Sequence, residues 1–236
     1  KDFMHEILGE TIIAGPAMVR RAGYQFGRDL DVSDTGAVTL GIGPVTTPIA
    51  NPNTNIPQRG RLPIAPSHEI THTGETLVID GVKIEFQLTP HTEAPSEMHF
   101  YLPELKALCL AENANGTLHN ALPARGALVR DVKGWADQLT QALTLYGDKS
   151  DVLFTSHFWP RWGQESIQDY LGTHRDAYKY LHDQSVRLMN DGLTGPEIAD
   201  ALRYPDALSS KWYNREYYGT LSHNSRAVYQ RYMGFY

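Results

Sequence analysis

The amino-acid sequence predicts an α/β fold over residues 1–163 followed by an all-helical region over residues 164–236, and three observations carry that reading. Short strand-like runs crowd residues 76–110 around an Asp80-Gly81 turn. A helix-period segment at 132–146 lies between two compact apolar runs, 107–110 and 152–154, and reads as a crossover helix within a β-rich region. From Gln164 onward the pattern is helical almost without interruption.

Along the chain, residues 1–66 are broken by Gly15-Pro16, Gly43-Pro44 and Asn51-Pro52-Asn53, leaving only short helical stretches near Phe3 and Ala17. A loop-dominated stretch of that length suggests part of a site or its cover. Thr76-Leu77-Val78-Ile79 and Val82-Lys83-Ile84-Glu85-Phe86 flank Asp80-Gly81 as a hairpin. The runs at 98–102 and 107–110 extend it into an antiparallel meander. Val132, Trp135, Leu139, Ala142, Leu143 and Tyr146 recur every three or four residues, and Gly147 ends that helix. Val152-Leu153-Phe154 is short and apolar, so it reads as a buried strand with His157 just past its carboxyl end. A long helix runs to Asn190, Thr194-Gly195-Pro196-Glu197 starts a short one, and aromatic-rich helical segments follow Pro205 and Ser222.

Composition narrows the function. Lys plus Arg total 21 against 27 Asp plus Glu, a formal charge of −6, so there is no cationic surplus for a phosphate backbone and nucleic acid is not an expected partner. No apolar run reaches the roughly 18 residues a membrane span needs. The lone Cys109 rules out an intrachain disulfide framework and a multi-cysteine zinc site, so a metal would have to be held by His and carboxylates. The chain opens at Lys1 with no apolar signal segment, which leaves its compartment open.

Three ligand-type residues follow predicted strands. Glu93 lies in the proline-flanked loop Thr89-Pro90-His91-Thr92-Glu93-Ala94-Pro95, Glu112 follows the run at 107–110, and His157 follows 152–154. Two carboxylates and an imidazole suit a divalent metal such as zinc, although a solvated loop Glu is the commoner meaning of each acid taken alone. Such carboxylates, gathered without their cations, are expected to raise the pKa of at least one of them. Beside Glu112, the run from Asn113 to Asn120 and the guanidinium groups of Arg125 and Arg130 match a tetrahedral oxyanion. The competing meaning is an Asn-rich turn with arginines paired to Asp131 or Asp137. His99, His174 and His182 read as packing or surface residues, whereas His119 and His223 could meet substrate or orient a ligand.

Thr92-Glu93-Ala94-Pro95-Ser96-Glu97-Met98, Ala111-Glu112-Asn113-Ala114, Thr117-Leu118-His119-Asn120 with Arg125 and Arg130, Ser156-His157-Phe158-Trp159-Pro160-Arg161-Trp162-Gly163 and Ser222-His223-Asn224 with Tyr229 resemble the alkylsulfatases of the metallo-β-lactamase superfamily. The resemblance covers nearly the whole chain. It implies the carboxyl-terminal part of a metallo-β-lactamase-like αββα sandwich over 1–163, the start of a helical dimerisation domain over 164–236, and a homodimer. It further implies zinc-dependent hydrolysis of alkyl sulfate esters such as dodecyl sulfate, with two zinc ions in a complete active site and detergent degradation as an outcome. On the matching positions Glu93, Glu112 and His157 are metal ligands, Glu112 bridging, and Asn120, Arg125, Arg130 and Tyr229 bind sulfate.

The family's His-x-His-x-Asp-His motif does not occur: none of the ten histidines has another two residues away. The resemblance places that motif upstream of Lys1, so the chain is expected to be a fragment, inactive and weak in zinc binding by itself. His68, His72 and His91 are the first alternative ligands. A periplasmic or secreted location is what the resemblance favours. Two other functions compete: another metallo-β-lactamase-fold hydrolase acting on phosphoesters, lactones or thioesters, and an inactive helical module for dimerisation or hydrophobic-ligand binding.

Overall fold

A computed structural model describes residue 68 and residues 70–94, 97–123 and 128–234. The helical stretches expected near Phe3 and Ala17, and Arg125, lie outside the described residues.

Strands β1 (Thr76–Ile79) and β2 (Val82–Leu88) pair antiparallel with Ile79 opposite Val82. Asp80 and Gly81 between them have φ of 51° and 84°, the two left-handed residues that a two-residue type I′ turn requires. Strand β3 (Met98–Leu102) pairs with β2, and β4 (Ala107–Cys109) with β3, which completes the expected meander. Strand β5 (Val152–Phe154) then joins β4 in parallel, and β6 (Arg161–Trp162) closes the six-stranded sheet antiparallel to β5. Two residues are too few to show alternation, and β6 had no signature in the sequence.

A parallel pair needs a crossover, and helix α1 (Val132–Tyr146) supplies it. Asp131 caps it by accepting from the Gly134 N–H at 2.9 Å. The face formed by Val132, Trp135, Ala136, Leu139, Ala142 and Tyr146 is buried, as its spacing requires. Helix α2 (Gln164–Asn190) packs along α1, where Trp135 stacks on Tyr178 with ring centroids 4.6 Å apart. Leu108, Leu139, Leu153, Leu171 and Leu181 complete the core between sheet and helices, each worth about 1.5–3 kcal/mol of apolar burial. Helices α3 (Gly195–Ala201), α4 (Asp206–Ser209) and α5 (Leu221–Met233) follow. Thr194 and Glu197 form the capping box that starts α3, with Glu197 Oε2 accepting from the Thr194 N–H at 2.8 Å.

His99 and His174 are fully packed, and His182 is largely buried beside Tyr232. Burial holds the His99 imidazole down to about 3 and that of His174 to about 4, so both are neutral. Among the described residues no helix is long and apolar enough to cross a membrane.

Candidate metal centre

The meeting of β4 and β5 sets the geometry. Because the two strands are parallel, the chain leaves both at the same end of the sheet, where the Leu110 N–H donates to Phe154 O and the Ser156 N–H to Ala111 O. Ala111 and Phe158 then adopt φ of 47° and 70°, left-handed values unusual for residues with side chains. Those turns stand next to Glu112 and His157, whose side chains meet with Nε2 3.0 Å from Oε1 of the carboxylate. Strain of about 1–3 kcal/mol per such residue is the kind kept at functional positions.

Residues 113–120 are all buried, although they have no regular structure and carry many polar groups. Neighbouring elements satisfy many of them, although Asn115 Oδ1 has no hydrogen-bond partner among the described residues. Trp135 Nε1 donates to Asn113 O, Tyr170 OH to Ala114 O, and His174 Nε2 lies 2.7 Å from Asn115 O. Farther along, the Leu118 N–H donates to Arg215 O and the Ala121 N–H to Asn224 Oδ1, and Asn224 Nδ2 donates to His119 O. Gly219 is pressed against this loop: a Cβ there would stand 2.3 Å from His119 O.

Glu93, Glu112 and His119 each bring a ligand atom to within 4.8 Å of the others. His119 Nε2 is 3.2 Å from Glu112 Oε2, so the carboxylate lies between two imidazoles. That environment brings the Glu112 carboxyl down to about 2, chiefly through the His119 hydrogen bond, against the opposing effect of burial and with His157 adding to the shift. The Glu112 carboxyl thus moves opposite to the rise that like-charge repulsion was expected to give at least one carboxylate, because its close partners are imidazoles. Glu93 is tied instead to Arg130, whose Nε and Nη2 donate to its backbone carbonyl and to Oε1. Arg130 Nη1 reaches Asn120 through both its backbone carbonyl, at 2.9 Å, and its side-chain Oδ1.

Of the residues selected from sequence, Glu93, Glu112, His157, Asn120 and Arg130 thus fall into one connected cluster. Tyr229 has its ring beside Gly195 at the α3–α5 packing. His72 and His91 stay on the surface, His72 beside Glu75 and His91 exposed. His223 Nε2 lies 2.8 Å from Leu122 O. Asn113 is the member that residue-by-residue reasoning passed over. Its Oδ1 accepts from the Glu93 N–H at 3.3 Å, and its Nδ2 reaches His99 Nε2 at 2.8 Å. Its place directly after Glu112 was the available signal.

The donor set fits a divalent cation of zinc type: two carboxylates and the His119 imidazole converge, and the His157 imidazole meets the other oxygen of Glu112. The family model "Alkyl sulfatase dimerisation" matches residues 194–236. An (R)-specific secondary-alkylsulfatase of Pseudomonas sp. is 45% identical over 235 residues, 99% of this chain and 34% of that protein. The chain is similar to alkylsulfatases along nearly its whole length. An alkyl/aryl-sulfatase of Saccharomyces cerevisiae is 44% identical over 99% of this chain and 35% of its own length, so the chain spans about a third of these relatives. A solved double mutant of the sec-alkyl sulfatase PisA1 superposes with a TM-score of 0.80 at 44% identity, covering 100% of this chain and 36% of that one. The α/β class expected from sequence is the class found.

Proposed function

We propose that this chain carries ligands and oxyanion contacts of a zinc-dependent alkyl sulfate ester hydrolase. The supporting observation is the Glu112 carboxylate held between His119 and His157 beside Glu93, in a chain akin to alkylsulfatases. Glu93, Glu112 and His157 would hold zinc, which when bound supplies an activated water and neutralises charge on sulfate oxygens. Glu112 offers two oxygens on one ionised group, each facing a different side of the cluster, the arrangement a bridging ligand needs. Arg130 and Asn120 place a guanidinium and an amide side by side; with Arg125 and Tyr229 they make up the sulfate contacts inferred from the family. Residues 1–163 would form the catalytic part and 164–236 the start of a helical part that pairs two copies, a reading supported by the dimerisation-model match and by exposed Trp212, Tyr217 and Tyr232.

The test uses the protein carrying this chain at its full genomic length. Two zinc ions per chain and chelator-sensitive sulfate release from dodecyl sulfate are expected. A metal-free protein that releases sulfate equally well would reject the proposal.

A further inference from the structure

We infer that His119 is a positioning residue whose Nε2–H holds the Glu112 carboxylate in the orientation that a metal meets. This rests on the reading of Glu112 as a metal ligand. The partner of Nε2 sets the direction of that bond. A carboxylate oxygen offers lone pairs, so in the 3.2 Å contact with Glu112 Oε2 the donor is His119 Nε2. Nδ1, on the other edge of the ring, lies 3.0 Å from Asn120 O and 3.2 Å from Arg130 Nη1, which itself donates to Asn120 O. Arg130 in turn donates to Glu93, so Glu93, Arg130, His119 and Glu112 are linked in one chain of side-chain contacts. The two carboxylates are thereby set relative to each other by protein groups alone.

The His119 ring has little freedom to leave that line. It is 2% exposed, sits edge-on to Tyr218 with centroids 4.9 Å apart, and lies 5.6 Å from the Trp135 ring. Its backbone N–H donates to Tyr178 OH at 3.2 Å, and its carbonyl accepts from Asn224 Nδ2 at 2.9 Å. His157, by contrast, is 60% exposed and presents its ring from a surface turn. One imidazole is fixed and the other is free to adjust, so Glu112 takes its orientation from His119. An outer hydrogen-bond partner of this kind changes metal affinity by about 10–100-fold when removed.

The experiment compares His119→Phe and His119→Gln with the parent, all at full genomic length. Zinc affinity is read by competition with a chromophoric chelator, the visible spectrum is read after cobalt substitution, and the urea midpoint is read on metal-free protein. Phe keeps the ring between Tyr218 and Trp135 but cannot donate; Gln can return an N–H to Glu112. Expected are a 10–100-fold loss of zinc affinity and a shifted cobalt spectrum in His119→Phe, with His119→Gln recovering affinity to within about threefold of the parent. Parental zinc affinity and cobalt spectrum in His119→Phe would overturn the assignment. So would equal losses in both variants that track their urea midpoints, which would mark a purely structural histidine. A parent that binds no zinc would instead reject the metal reading on which the assignment stands.

Discussion

Replacing Gly219 by alanine tests how tightly the ligand loop is held. The new Cβ would stand 2.3 Å from His119 O, 2.4 Å from its carbonyl carbon and 2.6 Å from Asn120 N, all backbone atoms that no rotamer change can move. Relief requires the two segments to part. That strains or breaks the Gly219 N–H bond to Leu118 O at 2.9 Å and the Leu118 N–H bond to Arg215 O at 3.0 Å. Two hydrogen bonds at about 1 kcal/mol each, added to an overpacking cost of about 1–3 kcal/mol, give a loss of about 3–5 kcal/mol. The matched control is Gly172→Ala in α2, where the nearest atom to the added Cβ is an Arg175 side-chain nitrogen 4.0 Å away. There the same substitution should stabilise by about 0.5–1 kcal/mol, because alanine is the better helix residue. Urea unfolding followed by circular dichroism reads both. With an m value of about 2 kcal/mol/M, the Gly219→Ala midpoint falls by about 2 M while that of Gly172→Ala rises slightly. Coincident curves for the two variants would refute the close-approach argument.

Three further outcomes are expected. His99 and His174 stay neutral in the fold, with pKa values of about 3 and 4, whereas the unfolded chain protonates both near 6.5. The unfolded state therefore binds more protons below pH 6.5, and stability falls on acidification by about 1.4 kcal/mol per pH unit per histidine, down to pH 4 for His174 and pH 3 for His99. Urea titrations at pH 7 and pH 5 measure the slope, and an unfolding free energy that stays constant between them contradicts it. Glu112→Gln, which removes the charge shared by His119 and His157, should abolish sulfate release in the full-length protein and lower its zinc content while leaving the helical circular dichroism unchanged; unaltered zinc content would take Glu112 out of the site. Thr220→Ala deletes the cap that accepts from the His223 N–H at 3.0 Å at the start of α5, and should cost about 1 kcal/mol in urea unfolding; no change would mean that the cap is dispensable.

Local chemistry made much of the fold legible. Asp80-Gly81 announces a hairpin because both residues tolerate positive φ, and Val132 to Tyr146 announces a helix because its apolar residues repeat with the helical period. Thr194-Gly195-Pro196-Glu197 marks a helix start through its reciprocal cap. The cluster was legible only as separate points: Glu93, Glu112 and His157 each follow a strand, but no local signal says that β4 and β5 would be neighbours in parallel. The Arg130 contact with Glu93 spans 37 residues, and its alternative pairing with Asp131 or Asp137 was equally consistent with sequence. Asp131 instead caps α1 and meets Arg231, while Asp137 pairs with Lys133. His119 stayed ambiguous because its partner lies only seven residues away along an irregular loop whose path depends on Trp135, Tyr178 and Asn224.

The bonds from Asn224 to His119 and Ala121 also order events in time. They join groups 105 and 103 residues apart, so during synthesis the loop that carries Glu112 leaves the ribosome long before the side chain that secures it. At roughly 5–20 residues per second the gap is about 5–20 s. For that interval the His119 carbonyl and the Ala121 amide have only water as a partner, and the carboxylates stand in a segment without its lid. The loop that carries Glu112 is therefore secured only after Asn224 has emerged. A translation arrest placed near residue 200 should leave residues 112–121 open to protease, and release of the chain past Asn224 should close them.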